Sequence, residues 1–349
     1  MIFFTSIADF LLYISFSIIA SSVLLKFIPP SHKPEIREPR WLLMLSVIGI
    51  ALFSLAPVIE LLVFLDGGFG TFFTVLLDYR TGHGWVITAL ISLLLGVTIY
   101  YDGSKYMAAY YTLALILAVG FFSHASTLNL WGGFVSHTIH FLVLVLWAGM
   151  LLQAAWLSKG GQWERFLAWF TPFASACVAI LLISGFVIML FFVAPADYAS
   201  SWVLPYGQLL LLKHLSILPL LLAAAINGFL NKKRLYQQAW LKAESILLLA
   251  TLAMTAFMSK QAPPHDVNDT FRSEGAAPFI ETFMGPLYIP ISAAPAFSLN
   301  GLLLLGIALL CLVMVPLSYK RSLPAGFSVL FGIGFIAAAY CGLMLTTTF

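Results

Sequence analysis

Ten apolar stretches, each about as long as a lipid bilayer is thick, follow one another along this chain: 5–28, 41–65, 84–101, 106–123, 134–157, 165–194, 206–230, 241–259, 298–318 and 325–347. A helix of roughly 17 to 25 apolar residues is what crosses a hydrocarbon core. Such a pattern folds as an all-α polytopic membrane bundle of about ten transmembrane helices, and composition agrees. The 349 residues are 61% hydrophobic and 9% charged, against about 25% charged in a soluble domain. The first run, MIFFTSIADFLLYISF, has no basic segment before it and is followed by Lys26, the wrong polarity for a cleaved signal, so it reads as a retained helix. Cys177, Cys311 and Cys341 sit inside apolar runs without metal or redox spacing and read as packing residues.

Charge orients the bundle. With the N-terminus outside, thirteen of the seventeen Lys and Arg fall on inner loops and helix ends: Lys26, Lys33, Arg37, Arg40, Lys105, Lys159, Arg165, Lys232, Lys233, Arg234, Lys242, Lys320 and Arg321. The outer side carries only Arg80, Lys260 and Arg272, and Lys213 lies within a helix. That is a positive-inside bias, and it places the chain in the cytoplasmic membrane with both termini extracytoplasmic. The basic residues thus report topology, and no nucleic-acid partner is expected. The organisation expected is helices 1 and 2 with an outer loop over 1–79, a core over 80–265, an extracytoplasmic loop over 266–297 and two further helices over 298–349. The polar segment 260–297, too long for a simple turn, can fold back over the bundle as a lid.

This topology gathers the histidines. His83, His124, His137, His140, His214 and His265 lie on or near the outer side, and only His32 is on the inner one. Three of them sit in SHASTLNLWGGFVSHTIH, the polar gap between the fourth and fifth helices. His137 and His140 are three apart on one helix face, which Leu144, Trp147 and Met150 continue. Imidazole suits copper, zinc, iron and nickel, and thioethers at Met189, Met254 and Met258 shift the preference to copper, as Cu+ or Cu2+. The candidate metal residues are therefore His124, His140, His137, His214 and His83, supported by Trp147, Lys213, Glu60, Met254 and Met258. Plainer readings stand beside these: interface histidines serve as polar anchors, and helix methionines pack. Glu60 is a snorkelling carboxylate or a cation attractor, and Lys213, if buried, needs an acid such as Glu60. Gln153 and Asn227 are further polar groups at membrane depth. Glu244, expected in the first turn of the eighth helix, suits the helix dipole.

Four segments between about 80 and 265 resemble the copper resistance protein D family (CopD). They are SHAS with His124; IHFLVLVLWAGML with His140, Trp147 and Gly149; RFLAWFTPFASACVAILLISGF with Arg165, Phe166, Ser184 and Gly185; and YGQLLLLKHLSILPLLLAAAIN with Tyr206, Gly207, Lys213 and Asn227. The resemblance implies copper movement across the cytoplasmic membrane, often with a CopC-like extracytoplasmic copper-binding partner. No soluble copper domain is evident in this sequence, so that partner is expected as a separate protein, and the two C-terminal helices are additions to the family pattern. The roles of His83 and His214 rest on position alone. The expected function is copper transport, more readily uptake, with copper bound by outer histidines, and not enzymatic catalysis. Two alternatives remain open at this point. One is a membrane oxidoreductase holding haem b between two histidines, and the other is an extracytoplasmic copper-delivery factor.

Overall fold

The computed structural model describes residues 1–231 and 234–349. Lys232 and Lys233, assigned above to the inner side, lie outside the described residues. The chain forms two compact units, Met1–Phe191 with Arg234–Tyr236, and Phe192–Lys233 with Gln237–Phe349.

The first unit contains α1 (Ile2–Leu25), α2 (Arg40–Phe53), α3 (Ala56–Phe64), α4 (Phe69–Asp78), α5 (Arg80–Tyr100), α6 (Lys105–Phe121), α7 (His124–Leu128), α8 (Leu130–Trp156) and α9 (Trp163–Leu190). The second contains α10 (Pro205–Ala225), which passes into a π-helical turn at Ile226–Leu230, then α11 (Gln238–Met258), α12 (Val267–Glu274), α13 (Pro278–Phe283), α14 (Leu299–Lys320) and α15 (Gly326–Leu345). Among the described residues nine helices are long and apolar enough to cross a membrane, α2 and α3 counting as one span, Arg40–Phe64. The tenth expected helix, α6, is apolar but stops at 17 residues. Its end is held by Arg80, whose guanidinium bonds the Phe121 carbonyl and reaches Ser126 Oγ at 2.9 Å. A cation at a helix C-terminus satisfies carbonyls that lack an intrahelical partner.

The core of the first unit forms where α1 meets α8. Ser15, Ser17 and Ser21 return their hydroxyls to carbonyls four residues back, at 2.7–2.8 Å. A serine that bonds its own helix presents almost no side chain to a neighbour. Gly149 of α8 accordingly approaches so closely that a Cβ there would lie 1.9 Å from the Ser17 carbonyl oxygen. Ser17 and Ser21 on α1 are four apart, the spacing at which small residues let membrane helices touch, and Gly149 of α8 lies against both. Phe16, Ile19, Leu115, Phe141 and Val145 fill the apolar volume beside this contact.

One end of this unit is basic. Ile36 bridges Ser158, the Lys159 amide donates to the Glu35 carbonyl at 2.9 Å, and Tyr236 Oη donates to the Ser158 carbonyl at 2.8 Å. Arg40 pairs with Asp102, and Lys105 Nζ lies 4.8 Å from the Phe27 ring centroid. Loops carrying Lys26, Lys33, Arg37, Arg40, Lys105, Lys159 and Arg234 therefore share one end, as the charge alternation requires.

In the second unit, segment 260–297 does fold back, over the segment before α10 and the C-terminus. The Ala277 amide donates to the Val203 carbonyl at 2.8 Å, and the Ala293 amide to Ser200 Oγ at 3.1 Å. A two-residue strand, Ala294–Pro295, pairs antiparallel with Thr347–Thr348. Val267 and Ile280 of this segment are buried together with Trp202, Val203, Leu204 and Met344. This end carries Asp197, Asp266, Asp269, Glu274 and Glu281, while Lys320 and Arg321 lie at the far end of α14.

Candidate metal site

His140 is placed more deeply than expected. The polar gap is not an open loop: Ser123 caps α7 through the Ser126 amide, and Asn129 caps α8 through the Gly132 amide at 2.8 Å. A Cβ at Gly133 would lie 1.9 Å from the Ala125 carbonyl oxygen, so α7 folds directly onto the start of α8. Because α8 begins at Leu130 instead of residue 134, His137 lies about 10 Å and His140 about 15 Å along it, at 1.5 Å per residue. Asparagine and serine as paired N-caps were the signal for this earlier start.

From that depth His140 meets α9. Its Nδ1 is 3.0 Å from Ser184 Oγ, and a Cβ at Gly185 would lie 3.2 Å from His140 Cε1. Glycine at 185 thus leaves room for the ring. The Ser184 hydroxyl donates to the Ile180 carbonyl at 2.6 Å, so its lone pair accepts from Nδ1–H. With the serine hydroxyl committed to Ile180, the imidazole proton belongs on Nδ1. Ser184, Gly185 and His140, drawn from two separate sequence segments, are brought together.

The other candidates fall in different surroundings. His137 is half-buried and stacks on Phe141, ring centroids 6.4 Å apart. His124 is exposed in the first turn of α7. His83 is exposed, and its Nε2 donates to the Leu77 carbonyl at 2.5 Å, tying α5 to the end of α4. That bond is an anchoring role. His214 belongs to the second unit, where its Nδ1 lies 2.7 Å from the Tyr198 hydroxyl and the two rings 5.6 Å apart. Burial pushes the Tyr198 phenol up to about 12, so it stays protonated at neutral pH. Tyr198, in the segment before α10, carried no sequence pattern that marked it. Among the described residues no group of three or more His, Cys, Asp or Glu is assembled for a metal ion.

Several supporting candidates are packing residues. Trp147 is buried on α8. Met254 packs against the cluster of Ala308, Phe335, Ile336 and Ala339, and Met258 is half-buried at the end of α11. Glu60 is half-buried on α3 of the first unit. Within the second unit no acid pairs with Lys213 among the described residues. Glu244 departs from its expected place: α11 begins at Gln238, which puts Glu244 in the second turn, buried. Its Oε2 accepts from Asn227 Nδ2 at 2.7 Å, and Asn227 also donates to the Trp240 carbonyl at 3.1 Å. The asparagine that closes the fourth family-like segment therefore ties α10 to α11. A Cβ at Gly207, in the same segment, would lie 1.9 Å from the Ser201 carbonyl oxygen.

No curated protein and no solved structure matches this chain. Residues 164–258, from the start of α9 to the end of α11, match the family described as Copper resistance protein D, CopD.

Proposed function

We propose that this protein moves copper across the cytoplasmic membrane, inward, by way of an outer histidine site centred on His140. The observation that carries this reading is the Ile180–Ser184–His140 hydrogen-bond chain. It supports a fixed imidazole with a basic Nε2, inside a bundle whose residues 164–258 match a copper-resistance family. Copper here is cargo. His124, at the start of α7, supplies the second imidazole, and His137, three residues before His140 on the same helix and closer to the outer end, serves capture and hand-over from an extracytoplasmic donor of the CopC type. Low coordination numbers suit monovalent copper, so a site of two imidazoles is sufficient without a third ligand. His214, with the Tyr198 hydroxyl on Nδ1, and His83, with Nε2 on a carbonyl, are secondary in this scheme. Orientation with both termini outside is part of the same proposal, supported by the basic end of the first unit.

Metal analysis of the purified, detergent-solubilised protein tests this reading against a haem protein. Copper at about one ion per chain is expected, with no Soret band, and bound copper should fall on acidification because the ligand must be neutral imidazole. A Soret band with haem iron at one per chain, and no copper, would overturn it.

A further inference from the structure

α1 carries a single charged residue, Asp9, within a helix long enough to span the membrane. An ionisable side chain at that depth is costly, pairs with another group and marks an ion or substrate pathway. The helices packed against α1 are chiefly α2, α3, α6 and α8. Their only Lys and Arg are Arg40 and Lys105, the first residues of α2 and α6. Both lie at the basic end, where Arg40 pairs with Asp102 and Lys105 sits over Phe27, beyond the far end of α1. The remaining cationic partner those helices can offer is imidazole, and it stands on α8 alone, at His137 and His140.

The register between α1 and α8 chooses between them. Phe141 packs on Tyr13 and Phe16, with ring centroids 6.1 and 5.1 Å apart. Gly149 meets Ser17 and Ser21, and Gln153 reaches Ser21 and Ser22. The numbers rise together, so the two helices run parallel. The contacts follow ridges of every fourth residue, through Tyr13, Ser17 and Ser21 on one helix and Phe141, Gly149 and Gln153 on the other. One step back along each ridge stand Asp9 and His137. Each is seven residues into its helix (9 − 2 and 137 − 130), about 10 Å at 1.5 Å per residue, and each is half-buried. Side chains four apart on a helix are neighbours, so Asp9 adjoins Tyr13, as His137 stacks on Phe141. Asp9 and His137 each have an interaction partner. His140 turns instead to Ser184 of α9.

We infer that Asp9 and His137 form a carboxylate–imidazole pair that captures the copper ion on its way to His140. The imidazole supplies a nitrogen ligand. The carboxylate supplies a negative charge, which holds a cation more strongly than imidazole does alone. Copper keeps its oxidation state, and no covalent bond of the protein changes. The pair rests on the copper reading and adds to it a residue of α1, outside the family-matching residues 164–258.

Equilibrium dialysis of Cu+ under reducing conditions, with the full-length protein in detergent, tests the pair. Asp9→Asn should bind at least about tenfold more weakly than the parent, and Asp9→Glu, which keeps the charge, should recover most of that loss. The losses of Asp9→Asn and His137→Ala should not multiply in the double variant, because both act on one site. A short bis-methanethiosulfonate reagent should join the cysteines of Asp9→Cys/His137→Cys, as read by mass spectrometry of the digest. It should not join those of Asp9→Cys/Ile139→Cys, since Ile139 is exposed on another face. A 9–137 pair that does not cross-link, or an Asp9→Asn protein that binds copper like the parent, would overturn the inference. A parent that binds no copper would overturn the copper reading instead, and the cross-link then judges the pairing by itself.

Discussion

Replacing His140 with alanine is expected to abolish copper binding to the detergent-solubilised protein, while Ser184→Ala weakens it without abolishing it. The ring nitrogen that binds metal is selected by what the other nitrogen does. Ser184, committed as donor to Ile180, accepts from Nδ1–H and so fixes the tautomer and orientation of the ring. Removing the serine frees the ring to change tautomer and orientation, and loss of such an outer-shell partner costs about 10- to 100-fold in metal affinity. His124→Ala is also expected to abolish binding, because the proposed site takes its second imidazole from His124. His137→Ala should only weaken it, and His32→Ala should leave it unchanged, since His32 is exposed in the loop after α1. Equilibrium dialysis of copper against the five variants checks this. Full copper in the double variant His124→Ala/His140→Ala would move the site elsewhere in the chain.

Gly149→Val is expected to cost the protein its fold. A Cβ at this position would lie 1.9 Å from the Ser17 carbonyl oxygen and 2.6 Å from the Ser21 hydroxyl. The obstacle is backbone, so α1 and α8 must separate. Parting them also pulls Gln153 from Ser21 and Ser22. Overpacking a tight core costs about 1 to 3 kcal/mol where side chains can give way, and backbone against backbone puts this site at or beyond that limit. Gly96→Ala is the control. Its added Cβ would meet Val47 Cγ1 at 3.4 Å, an ordinary contact, so stability should stay within about 0.5 kcal/mol of the parent. Size-exclusion profiles and thermal unfolding of both variants decide the matter. A monodisperse Gly149→Val protein that unfolds with the parent would show that α1 and α8 do not pack as described.

Apolar run lengths were enough to place the helices, because a bilayer imposes a length on anything that crosses it. What they could not place were breaks and starts set by single side chains. Pro57 lies in the first turn of α3, where the expected helix over 41–65 is interrupted. The Asn129 cap starts α8 four residues early and so carries His137 and His140 inward. Gly149, read from the family-like segment beside His140, turns out to serve the contact between α1 and α8, and Trp147 in the same segment is buried. Ser184 and Gly185 were visible in the same way and do meet His140, because an i−4 serine bond and a missing Cβ make a seat for a ring. Gln153 stood out as a polar group at membrane depth, but its partners Ser21 and Ser22, 132 and 131 positions away in the chain, carried no local pattern that marked them.

Copper entry into sealed proteoliposomes bears most directly on whether this bundle carries the ion or merely holds it. Right-side-out vesicles containing the parent protein, with a copper-quenched dye inside, should lose fluorescence faster than protein-free vesicles. His140→Ala vesicles should match the protein-free rate. Parent vesicles no faster than empty ones, in the presence of bound copper, would mean that the site binds copper without passing it across.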